Sequence, residues 1–328
     1  MTPSPTGPST PVSPASGRAV TGRQYELRRA GGVAVVTELA ATLRAYSRDG
    51  VVLTETFGDD QIPPGATGIT LAPWANRVED GRWPLNGKVQ QLDITEPSRG
   101  HASHGLLRNT GYAPVEVSGA SVSLEATVFP QHGYPFLVRH RVDYALDADG
   151  GLSVTQSLSN GSAARAPYVL GAHPYLRLGG TPTEELTLTV PAATRLVADE
   201  RLIPRGSEPV AGEWDLRGGR TVGELAVDCA FTDLSFTHDG AGPAAAAAPP
   251  AVVRATLTGA DGRSVWLWQE DTCRYLHVFV TDTFPGRAKA VALEPMTGPA
   301  NAFNSGEGLR WLEPGESASM RWGIGASL

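Results

Sequence analysis

The sequence has little lysine, little cysteine and no long apolar run. Only two of its cationic side chains are lysines, Lys88 and Lys289, which leaves few amines for Schiff-base chemistry. The two cysteines, Cys229 and Cys273, cannot build a disulfide framework, and no C-x-x-C pair is available for zinc or redox chemistry. No stretch reaches the roughly 18 apolar residues that a membrane span requires. We therefore expect a cytoplasmic protein that has no membrane partner.

The charge balance also excludes a class of partners. The 328 residues carry 27 Lys and Arg against 34 Asp and Glu, so the formal net charge is −7. Because no basic stripe is present to neutralise phosphates, we expect no nucleic-acid partner. Arginine supplies nearly all of the positive charge and is the expected reader of any anion or polyol.

The composition of two segments predicts that they do not pack into the core. Residues 1–22 are rich in Pro, Ser and Thr and contain neither a basic nor an apolar segment of a secretory signal, which predicts a disordered tail. The Ala-rich run within residues 242–251 is flanked by Pro243 and Pro249, which predicts a surface loop. No linker or repeat divides the rest, so residues 23–328 are predicted to form one domain.

Alternation of apolar and polar residues dominates that domain. It is clearest in residues 121–128, 138–146 and 185–190, where every second side chain is apolar. Such a period of two indicates antiparallel strands with one buried face. Turn signals separate the strands, at Asp149-Gly150 and Asp261-Gly262 among others. Convincing helical segments are scarce, so the prediction is an all-β fold, a large antiparallel β-sandwich with few short helices.

Glu294 and His173 are the first candidates for chemistry. Glu294 follows the apolar run 290–293 and precedes Pro295, which should end the strand and leave a carboxylate at the rim of the sheet. It is either a solvated strand-end glutamate or a binding group. His173 is either a structural histidine or a general acid, since imidazole titrates near neutrality.

Two further interpretations concern metal and sugar binding. His101 and His104 share a short segment and could join His173 in a three-histidine zinc site, although His-x-x-His is common by chance. Trp74 adjoins Asn76 and Arg77 in a predicted loop, where an aromatic platform would suit a pyranose ring. Packing in the core is the other interpretation of Trp74.

Taken together, five motifs resemble the aldose 1-epimerase (mutarotase) family in order and spacing, over residues 25–326. They are Asn76-Arg77 with Gly81-Arg82, His104-Gly105, His173-Pro174-Tyr175, Val227-Asp228-Cys229-Ala230-Phe231, and Glu294-Pro295-x-Thr-x-Pro. The resemblance implies a galactose mutarotase-like β-supersandwich with an open cleft on one sheet. It also implies an isomerase that needs no cofactor and no metal, with a small-molecule sugar as its substrate.

The resemblance further implies residue roles. The glutamate that matches Glu294 acts as general base and the histidine that matches His173 acts as general acid. Positions that hold sugar hydroxyls are matched by Arg77, His104 and Asp228, with Asn76 and Tyr175 as neighbours of those positions. The segment His104-Gly105-Leu106-Leu107-Arg108 departs from the galactose-specific pattern. This HGxxR form is closer to branches that act on anionic sugars, which makes Arg108 a candidate anion contact.

Two other functions stay open from the sequence. A carbohydrate-binding protein on the same sandwich would need neither an acid nor a base. A glycoside-cleaving enzyme could use Glu294 and Asp228 as its two carboxylates, at a separation that the sequence does not supply. The chain is expected to be a monomer or a homodimer.

Overall fold

The computed structural model describes residues 19–238 and 250–328. Nearly all regular structure within these residues is β strand. The strands are, in chain order, β1 (Gln24–Arg29), β2 (Gly32–Thr37), β3 (Leu43–Arg48), β4 (Val51–Val52), β5 (Thr70–Leu71), β6 (Arg77–Val78), β7 (Arg82–Leu85), β8 (Lys88–Gln91), β9 (Ala102–Ser103), β10 (Ala113–Val117), β11 (Ser121–Val128), β12 (Val138–Leu146), β13 (Leu152–Asn160), β14 (Ala166–Tyr168), β15 (Gly171–Ala172), β16 (Tyr175–Leu176), β17 (Thr187–Thr189), β18 (Ala192–Ala198), β19 (Pro204–Pro209), β20 (Arg220–Thr221), β21 (Asp228–Leu234), β22 (Val252–Thr258), β23 (Ser264–Glu270), β24 (Tyr275–Thr281), β25 (Ala290–Met296), β26 (Arg310–Leu312) and β27 (Ser317–Ser327).

Within the described residues, helical structure is confined to short segments. One α-helix, α1 (Ala302–Ser305), is four residues long. The 3-10 turns are Pro64–Ala66, Glu79–Gly81, Thr183–Glu185, Gly212–Trp214 and Val222–Glu224. Across residues 19–238 and 250–328, no helix has the length and apolar character needed to cross a membrane.

Two large antiparallel sheets form the body of the protein. The first has the strand order β10-β11-β12-β13-β27-β23-β22-β17-β20, and the second has the order β19-β18-β21-β24-β25-β15-β5, with β16 also paired to β25. Tyr144 and Leu267 of the first sheet and Val278 and Leu293 of the second belong to one hydrophobic core. The predicted all-β antiparallel sandwich with few short helices is therefore confirmed.

The alternating segments form strands in the predicted way. Buried and partly exposed side chains alternate along β12 and β13, which pair over their whole length, and β11 pairs β12 in the same way. The Asp149-Gly150 turn joins β12 to β13, and Gly150 has φ = +83°, a value that glycine adopts without strain. Burial of one face of each strand supplies the hydrophobic free energy that holds the register.

The predicted end of the N-terminal tail at residue 22 is wrong. Thr21 is fully buried, and its carbonyl accepts a hydrogen bond from the Leu39 N–H at 3.0 Å. The Val20 N–H donates to the Asp59 carbonyl at 2.8 Å. Residues 19–22 therefore pack against the body of the protein despite their composition. Residues 1–18 of the predicted tail and residues 242–249 of the predicted surface loop lie outside the described residues.

Candidate functional site

Three neighbouring strands of the second sheet bring polar side chains to one face. In the pairing of β24 with β25, His277 lies directly opposite Glu294, and in the pairing of β21 with β24, Asp228 lies opposite Phe279. Successive side chains point to opposite faces of a strand. The neighbours of these residues, such as Val278 and Leu293, therefore enter the core, and the carboxylates and the imidazole face outward into a cleft.

Glu294 does not end its strand, as the following proline had suggested. Strand β25 continues to Met296, and Pro295 lies opposite Leu276 in the ladder. Only 2% of Glu294 is exposed, so the carboxylate projects from the middle of the sheet rather than from its rim. Its Oε1 atom contacts His173, while Oε2 is buried and has no hydrogen-bond partner among the described residues. An unpartnered buried oxygen of this kind is available to a ligand.

His173 lies in the short connection between β15 and β16. Its N–H donates to the Ile69 carbonyl at 3.0 Å, and its carbonyl accepts from the Gly68 N–H at 2.8 Å, so the backbone is fixed on both sides. The side-chain Nε2 atom lies 3.3 Å from Glu294 Oε1. Burial lowers the pKa of His173, and the neighbouring Glu294 carboxylate opposes that shift.

Tyr175 supports His173 from behind and does not line the cleft. The two rings stack with centroids 5.2 Å apart, and the tyrosine hydroxyl donates to the Gly65 carbonyl at 3.2 Å. Tyr175 is almost completely buried and is not among the residues that line the cleft. Its position instead restricts the orientation of the imidazole.

Arg77 is held at the cleft by a partner that the sequence analysis missed. Its Nε and Nη2 atoms donate to the two carboxylate oxygens of Glu96 at 2.8 and 3.0 Å, and Nη1 donates to Asn76 Oδ1 at 3.2 Å. Such a bidentate pair fixes the plane of the guanidinium. Asn76 and Arg77 therefore form one rigid unit with Glu96.

His104 is brought to the cleft by a tight bend after β9. Its N–H donates to the Asn76 carbonyl at 2.9 Å, and its ring meets that of His173 edge-on, with centroids 5.4 Å apart. Nδ1 of His104 is buried and has no partner among the described residues. Burial lowers the pKa of His104 well below its usual range, and the neighbouring cationic groups add to the shift.

Gly105 is predicted to be essential for this bend. It has φ = +76°, and an added Cβ atom would collide with the Ala72 carbonyl oxygen, which is backbone and cannot move aside. Gly105→Ala should therefore lower the free energy of unfolding by about 2–4 kcal/mol. Gly119→Ala is the matched control, because nothing lies within 4 Å of its added Cβ. Urea denaturation of both variants checks the prediction, and equal midpoints would contradict it.

Arg108 lines the same cleft and differs from Arg77 in its pairing. No hydrogen bond or ion pair of its guanidinium is found among residues 19–238 and 250–328, although the side chain is only partly exposed. Burial lowers its pKa, and the Glu96 carboxylate opposes the shift. A partly buried guanidinium with free donors is suited to bind an anion.

His277 is the functional-site candidate that the sequence analysis did not single out. Asp228 accepts a hydrogen bond from His277 Nε2 at 2.8 Å. Burial disfavours the charged imidazole, but Glu294 and Asp228 outweigh it and raise the pKa of His277 above its usual value. Burial likewise opposes ionisation of Asp228, but the hydrogen bond from His277 lowers the pKa of the carboxyl. The sequence signal that could have identified it is a histidine within the largely apolar segment 275–281.

These residues enclose an open cleft of about 340 Å³. It contains a carboxylate and an imidazole in contact, surrounded by side chains that can bind hydroxyl groups. Such an arrangement can take a proton from one oxygen of a small molecule and supply a proton to a second oxygen. The residues that line the cleft are Pro63, Gly65, Ala66, Asn76, Arg77, Thr95, Glu96, Ser103, His104, Arg108, His173, Asp228, His277, Phe279 and Glu294.

Two alternatives from the sequence do not fit this geometry. His101 does not join the other histidines, because Nδ1 of its ring accepts from the Asp80 N–H at 3.2 Å and Nε2 lies 3.2 Å from the Arg201 carbonyl. In the part of the chain that the structure describes, no group of three His, Cys, Asp or Glu side chains could hold a metal ion. Trp74 is a core residue packed edge-on against Phe303, so the sugar-platform interpretation is wrong.

Comparisons with known proteins identify a family model that matches the chain and solved structures that share its fold. The family model described as "Aldose 1-epimerase" matches residues 23–324. The uncharacterized protein YihR of Escherichia coli (strain K12) is 29% identical over 299 residues, which is 89% of each chain.

Solved structures share the fold at lower identity. A galactose mutarotase-like protein from Clostridium acetobutylicum superimposes with a TM-score of 0.79 at 20% identity, covering 92% of this chain and 94% of that chain. A galactose 1-epimerase from Lactobacillus acidophilus NCFM superimposes with a TM-score of 0.70 at 20% identity, covering 92% of each chain. At these identities the likeness shows the fold alone.

Proposed function

Because the chain belongs to the aldose 1-epimerase family, we propose that this isomerase interconverts the α and β anomers of a hexose that carries an anionic group. The observation that supports this reaction best is the contact of a carboxylate with an imidazole in one cleft. Nε2 of His173 lies 3.3 Å from Oε1 of Glu294, and both side chains are nearly buried. A proton donor and a proton acceptor at this separation can act on the two oxygens bound to one anomeric carbon, one giving a proton and the other taking one.

The proposed reaction opens and closes a cyclic hemiacetal. Glu294 takes the proton of the anomeric hydroxyl, the bond between the anomeric carbon and the ring oxygen breaks, and His173 protonates the ring oxygen. Rotation of the resulting aldehyde group exposes its other face. The same proton transfers in reverse then close the ring, so both side chains return to their starting states and nothing is consumed.

Positioning of the sugar is assigned to the remaining polar residues of the cleft. Arg77, Asn76, His104 and Asp228 all line it, and their hydrogen bonds or strand positions hold them in place. A prearranged set of donors and acceptors lowers the entropic cost of bringing the hemiacetal to the acid and the base. The lowered pKa of Asp228 keeps it ionised, which suits a hydrogen-bond acceptor better than the acid of a glycoside-cleaving pair.

The anionic substituent is assigned to Arg108. Arg77 is neutralised by two hydrogen bonds to Glu96, whereas the donors of Arg108 have no acceptor among the described residues. A sulfonate or phosphate on the sugar would supply that acceptor and would compensate the charge of a partly buried guanidinium. The HGxxR segment supports the same class of substrate.

Arg108→Gln should therefore weaken binding of anionic sugars and spare neutral ones. Loss of a hydrogen bond between charged groups costs about 1.5–3 kcal/mol, which corresponds to about a 10- to 100-fold rise in KM. The KM of the corresponding neutral hexose should change less than about threefold. Arg263→Gln, in an exposed turn and paired with Asp261, is the matched control. An unchanged KM for phosphorylated and sulfonated sugars in Arg108→Gln would reject the assignment.

NMR exchange spectroscopy of anomers tests the proposed reaction itself. A panel of neutral, phosphorylated and sulfonated hexoses at equilibrium should show enzyme-dependent exchange between α and β signals, fastest for an anionic member. If sugars of the panel bind but the protein accelerates the anomer exchange of none of them, the non-catalytic carbohydrate-binding alternative is favoured. Release of a reducing end from glycosides of the same sugars would favour the glycoside-cleaving alternative.

A further inference from the structure

The cleft contains a second imidazole in contact with a carboxylate. His277 faces the cleft from β24 and lies between Asp228 and Glu294, one on each neighbouring strand. Its Nε2 atom is bound to Asp228 at 2.8 Å, whereas Nδ1 has no hydrogen-bond partner in residues 19–238 and 250–328. Only 7% of the residue is exposed, so the ring is fixed within the site.

We propose that His277, held by Asp228, is a second proton donor of this site and delivers a proton to the sugar oxygen opposite Glu294. The inference rests on the proposed mutarotase function and extends it. It makes His277 a catalytic residue, whereas the position of His173 against Glu294 had suggested a single donor.

The hydrogen bond with Asp228 determines which nitrogen donates. An ionised carboxylate only accepts, so Nε2 keeps its hydrogen in both protonation states of the ring. The proton that is gained and lost is therefore the one on Nδ1, the nitrogen without a protein partner. A carboxylate behind an imidazole favours the charged ring and orients it.

The charges around His277 favour a bound proton. The charged and titratable groups that act on it are Asp228 of β21, Glu294 of β25, Arg77 of β6, and His173 and His104 of the facing segments. The two carboxylates outweigh burial and the cationic Arg77, and the pKa of His277 is raised. Burial instead lowers the pKa of His173 and of His104. Of the three histidines of the cleft, His277 is thus the one whose surroundings favour the charged ring.

The step balances without a co-reactant. In this route Glu294 takes the proton of the anomeric hydroxyl, the bond to the ring oxygen breaks, and the ring oxygen takes its one proton from Nδ1 of His277 in place of His173. The imidazolium becomes a neutral imidazole that stays bound to Asp228. Ring closure reverses both transfers and restores the imidazolium.

The pH dependence of kcat separates the two donors. A donor with a raised pKa is protonated below that value and loses its proton as the pH rises through it, so wild-type kcat should fall on the alkaline side of neutrality. His277→Gln keeps a hydrogen-bond donor toward Asp228 but cannot titrate. It should lose this alkaline fall and lower kcat about 10- to 100-fold, with KM changed less than about threefold. Asp228→Asn should move the fall toward neutral pH.

His132→Gln is the matched control. His132 forms the same kind of pair with Asp93, at 2.9 Å, but both side chains are exposed on the surface. This variant should keep the wild-type pH profile and kcat. A purely structural role of His277 would lower stability in His277→Gln without removing the alkaline fall, and that result would overturn the proposal.

NMR titration of histidine-labelled protein supplies a readout that does not depend on activity. The imidazole signal that disappears in His277→Gln should titrate above the usual histidine range, and that signal should move to lower pH in Asp228→Asn. A neutral His277 at pH 7 would overturn the second donor. Absence of wild-type anomer exchange with every sugar would instead overturn the proposed function, whereas exchange whose alkaline fall persists in His277→Gln overturns only the second donor.

Discussion

Replacement of Glu294 by glutamine should lower kcat for anomer exchange by about 10²–10⁴-fold, the contribution of one general base. Glutamine has nearly the same shape but cannot accept the proton of the anomeric hydroxyl at neutral pH. KM should change little, because the groups assigned to bind the sugar remain in place. Polarimetry or NMR exchange with the preferred sugar of the panel provides the measurement.

The stability of this variant helps to separate chemistry from folding. Oε2 of Glu294 is buried without a partner among the described residues, so neutralising the carboxylate removes an incompletely satisfied buried charge. The free energy of unfolding of Glu294→Gln should therefore lie within about 1 kcal/mol of the wild-type value. Glu208→Gln, on the exposed strand β19, is the control and should keep wild-type kcat. Near-normal turnover by Glu294→Gln would remove Glu294 from the role of base.

Replacement of His173 by asparagine should have the second-largest effect, a loss of about 10²-fold or more in kcat on the acid side of neutrality, where the imidazole is charged. Asparagine can still donate a hydrogen bond but cannot transfer a proton. Because burial lowers the pKa of His173, its charged form is present only on the acid side of the usual histidine range. Wild-type kcat should therefore rise as the pH falls below neutrality.

His173→Asn should lose this rise on the acid side and keep the fall on the alkaline side that is assigned to His277. The two variants therefore remove different parts of one pH profile. His132→Asn, a surface substitution, should leave both parts unchanged. A profile of His173→Asn with the wild-type shape would reject the donor role of His173, even if its kcat were reduced.

The architecture was largely predictable because it depends on local patterns. Alternation in residues 121–128 and 138–146 predicted strands with one buried face, and these residues form two strands that pair with each other antiparallel. The pattern failed at Pro295, which was expected to end its strand. In the sheet, Pro295 lies within the ladder and the strand continues to Met296.

Part of the site was predictable as a set of motifs. The resemblance brought Glu294, His173, His104 and Asp228 together, and the structure places all four in one cleft. It also gave Tyr175 as a neighbour of the sugar-binding positions, and in the structure the ring of Tyr175 stacks on that of His173. Its hydroxyl group donates to the carbonyl of Gly65, which does line the cleft, so Tyr175 lies directly behind the lining.

The strands and the residues that carry acid, base and charged groups could be identified from the sequence, because periodicity and residue type are local properties. How these groups affect one another depends on the folded chain. Glu96 neutralises Arg77 from 19 residues away, and Asp228 holds His277 across 49 residues. Proton affinity in a buried site depends on distances between groups that are remote in the chain. For that reason, three histidines with the same side chain have different pKa shifts in one cleft.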